Sequence, residues 1–164
     1  MPYRICLVCM GNICRSPMAE AVLRALLDRA GLADAVVVDS AGLGDWHVGD
    51  DADHRARTAL RLRGYPLSHA ARQFDRAWFA ERDLVLALDR NNLHSLRRLA
   101  PDAASADRIG LLRSYDPEAG DDLDVPDPYY GGAEGFEHAL DLVERACAGL
   151  VTQLRKTVVE ARGG

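Results

Sequence analysis

A cysteine, an arginine and a serine stand together at Cys9, Arg15 and Ser16, in the segment Cys9-Met10-Gly11-Asn12-Ile13-Cys14-Arg15-Ser16. Each residue type has a use in handling a phosphate-like anion. A thiolate is a strong nucleophile, and a helix N-terminus or a nearby cation favours that form of cysteine. A planar guanidinium grips two oxygens of one anion at once. Successive backbone N–H groups in a tight turn form an anion nest, and the dipole of a following helix adds positive potential. Gly11 and Asn12 tolerate the positive φ angles that such a cradle needs. The segment therefore reads as a nucleophile, a nest and a clamp converging on one tetrahedral anion.

The flanking elements must place that turn. Residues 3–8 read as a short buried strand. Ser16-Pro17 opens a helix, with Ser16 as N-cap and Pro17 at the first helical position. Ala19, Val22, Leu23, Leu26, Leu27 and Ala30 give its apolar face, and Gly31 stops it. Residues 35–39 form a second strand, and residues 41–52 a long loop carrying Trp46. A helix over 53–63 is stopped by Gly64. Residues 65–76 are irregular, with a short helix near 77–81. A strand at 84–88, a helix at 91–99 ending before Pro101, and a strand at 108–112 follow.

Residues 113–133, rich in Asp, Pro, Gly and Tyr, read as a long ordered loop, and loops of that length inside compact domains are usually functional or disordered. From Glu134 onward Phe136, Leu140, Val143, Cys147, Leu150, Leu154 and Val158 trace one long helix. The β-α alternation predicts an α/β three-layer sandwich: a four-stranded parallel sheet with helices on both faces. Ligands of such sheets bind at the carboxyl ends of the strands, which is where the Cys9 turn lies.

Composition narrows the reading further. The 164 residues fit one domain, 1–164, with 48% apolar and 27% charged residues, which excludes a disordered or collagen-like chain. The net charge of −5 offers no global basic footprint, so nucleic acid is not an expected partner. No apolar run approaches the roughly 20 residues of a membrane span. The first residues are too short for a signal peptide, so a reducing cytoplasm is the expected location, with leaderless export left open. Cys6 and Cys9 satisfy C-x-x-C. In a strand, however, positions i and i+3 point to opposite faces, and no second such pair or His cluster follows. Cys6 and Cys147 are read as core, and no metal or other cofactor is expected.

The stretch from Val8 to Glu20, Val-Cys-Met-Gly-Asn-Ile-Cys-Arg-Ser-Pro-Met-Ala-Glu, closely resembles the low-molecular-weight protein tyrosine phosphatases. Asp39-Ser40-Ala41-Gly42, Ser68-His69-Ala70-Ala71-Arg72-Gln73 and Asp127-Pro128-Tyr129-Tyr130-Gly131 extend the resemblance in order and spacing along the chain. Trp46 in its glycine-containing surroundings resembles the bacterial, actinobacterial-type branch. The resemblance implies hydrolysis of phosphotyrosine in proteins, and of small aryl phosphates, through a phosphocysteine at Cys9. Arg15 then holds the equatorial oxygens, within a phosphate-binding loop of Met10, Gly11, Asn12, Ile13, Cys14 and Ser16. That loop would also take inorganic phosphate or other oxyanion inhibitors.

The resemblance further implies that Ser16 hydrogen-bonds the Cys9 sulfur. Asp127 becomes the general acid, then the base for the attacking water; composition alone does not choose it over Asp116, Asp121, Asp122 or Asp124. Trp46, Tyr129 and Tyr130 wall an aromatic slot. Asn12, Ser40 and His69 hold the loop's shape. Cys14 is either a reversible disulfide partner of Cys9 or a packed thiol. A monomer is expected. Whether Tyr129 or Tyr130 is itself phosphorylated is left open. Met10 and His47 depart from residues common among relatives, with consequences for rim shape and substrate preference rather than for catalysis.

Three rivals fare worse. A thioredoxin-coupled arsenate reductase on this fold needs two further cysteines near the third strand. The next cysteine after Cys14 is Cys147, which lies in the last helix. A phosphotyrosine-binding module without activity would be expected to lose Cys9, Arg15 or the acid. A nucleotide-binding P-loop needs G-K-[ST] after its glycines, and Gly11 has no such sequel.

Overall fold

The computed structural model describes the backbone of residues 1–163 and the side chains of residues 1–160. Four strands, β1 (Tyr3–Cys9), β2 (Val36–Gly42), β3 (Leu84–Ala87) and β4 (Ile109–Leu111), form one sheet in the order β2-β1-β3-β4, and every pairing is parallel. The helices are α1 (Arg15–Arg29), α2 (His54–Leu62), α3 (Arg90–Leu99), α4 (Ala103–Ala106) and α5 (Ala133–Gly163). Two short 3₁₀ turns occupy Arg76–Glu81 and Leu112–Tyr115.

Strand alternation divides the core. Ile5, Leu7 and Cys9 of β1 point into a cluster shared with α1, α2 and α5, whereas Cys6 and Val8 point into a second cluster with Phe79 and Leu96. Cys6 and Cys9 thus lie on opposite faces of the sheet. The seven α5 residues from Phe136 to Val158 that carry the apolar repeat are all buried, and so is Cys147 among them.

The expected α/β sandwich and its parallel sheet are present, with four local corrections. β2 runs on to Gly42 instead of stopping at 39, because polar residues inside it are satisfied. Asp39 accepts from Arg72 and Arg82, and Ser40 donates to Glu20. Gly42 pairs with Cys9 across the strands, which fixes the floor beneath the Cys9 turn. The expected loop over 113–133 loses its first residues to the 3₁₀ turn, and α4 is an unforeseen single turn capped by Asp102. Elements this short show no periodicity in sequence. Ser16 does not cap α1: the helix starts at Arg15, Cys14 is the flanking residue, and no side chain caps it. The Ser16 hydroxyl has turned to other partners.

Candidate active site

Strand β1 ends at Cys9 and α1 begins at Arg15, so the whole cradle is the 10–14 connection at the carboxyl edge of the sheet. Its carbonyls are tied to the scaffold. Cys9 O accepts from Leu43 N (3.0 Å), Met10 O from Gly44 N (2.9 Å), and Ile13 O from Asp53 N (2.7 Å). Cys14 O accepts from Met18 N, and Asn12 O meets His69 Nε2 at 2.6 Å. The N–H groups of residues 10 to 15 donate to no acceptor among the described residues. With the carbonyls of Cys9, Met10, Asn12, Ile13 and Cys14 hydrogen-bonded and the amides unspent, the turn has the electrostatics of an anion nest.

Backbone shape follows from two positions. Asn12 sits at φ 59°, a left-handed conformation to which asparagine is better suited than most residues. Gly11 does not use positive φ; it supplies clearance, since a Cβ there would lie 3.2 Å from the His47 ring. Beneath the turn, a Cβ on Gly42 would stand 2.9 Å from Met10 O, so only glycine lets backbone rest on backbone.

The strained asparagine is held by a buried polar chain. Its Nδ2 donates to Ser16 Oγ (2.8 Å) and Ser40 Oγ (3.0 Å), and its Oδ1 accepts from Arg72 N (2.9 Å). Ser40 in turn donates to Glu20 (2.7 Å), and Glu20 pairs with Arg24. Ser16 Oγ lies 3.0 Å from Cys9 Sγ. That oxygen accepts from Asn12, and its single proton has two acceptors in reach, the Cys9 sulfur at 3.0 Å and Ala41 O at 3.4 Å.

Arg15 is nearly inaccessible, at 3% side-chain exposure. Its Nη1 donates to Asp89 Oδ2 (2.6 Å) and to Val125 O (2.9 Å), and its Nη2 stands 3.7 Å from Asp127 Oδ2. Asp89 also caps α3 by accepting from Asn92 N (2.7 Å). One carboxylate therefore fixes both a helix start and the guanidinium.

Asp127 is half-exposed and faces the cavity, with its other oxygen accepting from Tyr129 N at 3.1 Å. The competing carboxylates are engaged elsewhere. Asp124 accepts from Arg90 N, Asp122 lies 3.6 Å from Arg113, and Asp116 is buried beside Arg145. Neither they nor Asp121 line the cavity. The Asp127–Gly131 stretch is strapped down by Arg55, which donates to Tyr129 O and Gly131 O (both 2.9 Å) and stacks over the rings of Tyr129 and Phe136. Arg55 also forks onto Asp53, the cap of α2, whose own N–H holds Ile13 O.

These groups enclose a cavity of about 330 Å³ whose lining includes Cys9, Arg15, Trp46, Asp127, Tyr129 and Tyr130. Met10, Gly11, Ile13, Cys14 and His47 complete it. The Trp46 ring packs against Gly44, where a Cβ would fall 1.8 Å from the indole. Tyr129 and Tyr130 meet edge to face at 5.0 Å. A larger hollow of about 980 Å³ lies at the other end of β1, against Pro2, Tyr3 and Arg4, and holds no cysteine or histidine. The chemistry-bearing residues are all at the smaller one. All four cysteines are free thiols. Burial, helped by the charge of Asp53, pushes the Cys14 thiol well above the usual range. Among the described residues no His, Cys, Asp or Glu cluster has the makings of a metal site.

The structure brings together Cys9, Arg15, Ser16, Asp127, Trp46, Tyr129 and Tyr130 at the cavity or its wall, and Asn12, Ser40 and His69 directly behind it. Sequence reading missed Asp89, Arg55 and Glu20. Glu20 carried a signal, a carboxylate on the buried side of α1; Asp89 and Arg55 carried none, because their partners are remote in sequence.

The family profile described as low molecular weight phosphotyrosine protein phosphatase matches residues 4–160. A low molecular weight protein-tyrosine-phosphatase of Streptomyces coelicolor is 58% identical over 96% of this chain and 97% of its own. A crystal structure of a protein tyrosine phosphatase from Entamoeba histolytica superposes with a TM-score of 0.90 at 34% identity, covering 94% of this chain and 98% of that one. A Drosophila arginine phosphatase superposes at 0.84 with 33% identity, covering 92% and 96%. With a profile matched from the first strand to the last helix and an actinobacterial relative at that identity, the chain belongs to the low-molecular-weight protein-tyrosine-phosphatase family.

Proposed function

We propose that the chain, acting as one catalytic domain over residues 1–164, hydrolyses phosphotyrosine in proteins through a cysteinyl-phosphate on Cys9. The observation that carries this reading is the Cys9 sulfur set 3.0 Å from the Ser16 hydroxyl, at the mouth of a turn with unspent amides. In the first step the thiolate attacks phosphorus in line with the phenol oxygen. The amides of residues 10 to 15 and the Arg15 fork bind the equatorial oxygens, so catalysis is positioning and charge stabilisation rather than protein covalent chemistry at the oxygens. Tyrosinate is a poor leaving group, its conjugate acid having a pKa of about 10, and Asp127 protonates the oxygen as it departs. In the second step Asp127 takes a proton from water as water attacks the phosphocysteine, and Ser16 stabilises the departing thiolate.

Trp46, Tyr129 and Tyr130 form the walls for the substrate ring, and His47 and Met10 shape the rim. The Asn12, Ser40 and His69 contacts act by keeping the turn in its strained shape. The same turn takes inorganic phosphate and other oxyanions as inhibitors. Cys14 serves as a reversible disulfide partner that protects Cys9 from over-oxidation. A monomer in a reducing cytoplasm, acting on phosphotyrosine proteins, completes the reading.

A substrate panel tests it. Purified protein is assayed with matched peptides carrying phosphotyrosine, phosphoserine or phosphoarginine, the last because a structural relative is an arginine phosphatase. Phosphotyrosine turnover in the presence of a chelator, far above the other two, is expected. A higher kcat/KM for phosphoarginine or phosphoserine would overturn the substrate assignment.

A further inference from the structure

Beside the aromatic slot lies a second hollow of about 300 Å³, between the Trp46 loop and helix α3. It is lined by Met10, Leu43, Trp46, Ser95, Arg98 and Leu99. Two of these residues, Met10 and Trp46, also line the cavity over Cys9. The two hollows therefore share one ridge, made of an exposed thioether and an exposed indole. A peptide that inserts a side chain toward Cys9 can lay a neighbouring residue across that ridge.

The second hollow has a definite chemistry. Leu43, Leu99 and Met10 are apolar. Arg98 is exposed on α3, and among the described residues it has no ion-pair partner and no side-chain hydrogen bond. Ser95, one turn earlier on the same helix, likewise has no side-chain hydrogen-bond partner among them. The chain as a whole carries a net charge of −5, so it repels acidic peptides at long range. An unpaired arginine beside the slot reverses that locally.

We infer that this groove is a subsite of the substrate peptide and takes a glutamate side chain lying close to the phosphotyrosine in sequence. The inference rests on the proposed phosphotyrosine activity at Cys9. The two methylenes of glutamate lie against Leu43, Leu99 and Met10. Its carboxylate accepts from the Arg98 fork and from the Ser95 hydroxyl. Free phosphotyrosine or a small aryl phosphate fills only the first cavity and gains nothing from the second.

The test is a series of phosphotyrosine peptides with glutamate or lysine scanned through each flanking position, assayed against the unaltered protein, Arg98→Ala and Arg98→Glu. The readout is the ratio of kcat/KM for the glutamate peptide to that for its lysine twin. Each ratio is internal to one preparation, so partial loss of folded protein cancels. For the unaltered protein, at least one position should favour glutamate by about two- to fivefold, the range of an exposed ion pair. That preference should vanish in Arg98→Ala and turn to lysine in Arg98→Glu. Absence of any preference in the unaltered protein, or the same preference in all three proteins, would overturn the subsite. Failure of the unaltered protein to hydrolyse p-nitrophenyl phosphate would overturn the phosphatase reading instead, and the subsite with it.

Discussion

Arg15 and Asp89 form an ion pair of 2.6 Å that joins the Cys9 turn to the first turn of α3. The same Asp89 carboxylate accepts from the backbone of Asn92, so it is fixed by the helix whose start it caps. A guanidinium held on one side by a fixed carboxylate and by Val125 O has little freedom left, and it lines the cavity with its Nη2 3.7 Å from Asp127. For the phosphate clamp proposed above, that restraint is preorganisation before any ligand arrives.

Replacing Asp89 by asparagine separates the two duties of this residue. Asparagine caps a helix as well as aspartate does, so α3 keeps its start. The charge that restrains Arg15 is gone. Turnover of p-nitrophenyl phosphate should fall by up to about 10²-fold, the scale of an ångström-sized misplacement, with a small change in melting temperature. Full activity in Asp89→Asn would show that Arg15 needs no such anchor.

Asp127 is the acid of the proposed mechanism because it alone among the nearby carboxylates lines the cavity and approaches Arg15. Asp127→Ala should slow hydrolysis of a phosphotyrosine peptide by about 10²–10⁴-fold. The loss should shrink as the leaving-group pKa falls, because a stable phenolate needs no proton. An equal loss across a series of aryl phosphates would move the acid role to another residue, with Asp124 next to be tried.

Much of this site was legible in sequence, and the pattern of success has a physical basis. Cys9, Arg15 and the unspent amides belong to one short connection, so their spacing alone announces the nest. Cys6 was separated from Cys9 by strand alternation, and the two core clusters bear that out. Asp127 was a different matter, since one Asp-Pro among several acidic residues has no local mark; the D-P-Y-Y resemblance picked it. Ser16 was misread as a cap, because Ser-Pro before an apolar repeat has the pattern of a helix start, whereas the hydroxyl is drawn inward by Asn12 and the Cys9 sulfur. Arg55 and Asp89 stayed hidden, because each acts on backbone or side chains that only the folded sheet brings near.

Cys14 offers a redox prediction. Peroxide should convert the Cys9 thiolate to the sulfenic acid, and the Cys14 thiol should displace water from it to give the disulfide. Burial raises the Cys14 pKa and so disfavours its own direct oxidation. Inactivation of the unaltered protein should be reversed by dithiothreitol, while Cys14→Ser should become permanently inactive on the same exposure. Peptide mapping that finds only sulfinic Cys9, with Cys14 free, would leave Cys14 as packing.

The β2 edge carries a pH prediction. Burial disfavours a charge on Asp39, but hydrogen bonds and charges from Arg82 and Arg72 outweigh it and hold the carboxyl below its usual value. A carboxyl depressed in the folded state contributes stability above its unfolded pKa and loses it as pH falls through the folded value. Asp39→Asn should therefore cost about 1–3 kcal/mol at neutral pH, the scale of hydrogen bonds to a charged group. The gap between the two proteins should close as the pH falls below the ordinary aspartate pKa of about 3.9 toward the depressed folded value. A gap that stays constant through that range in urea titrations would rule out the ion pairs as its source.

The central claim is a covalent phosphate on Cys9, and its most direct measurement is an acid quench during steady-state turnover of a phosphotyrosine peptide, followed by mass spectrometry of the digested protein. Acid stops turnover by unfolding the protein, which leaves the intermediate on the sulfur for digestion. One phosphate is expected on the peptide containing Cys9, more of it in Asp127→Ala assayed with a leaving group of low pKa, and none in Cys9→Ala. Turnover retained in Cys9→Ala, or phosphate found only on another residue, would contradict the claim.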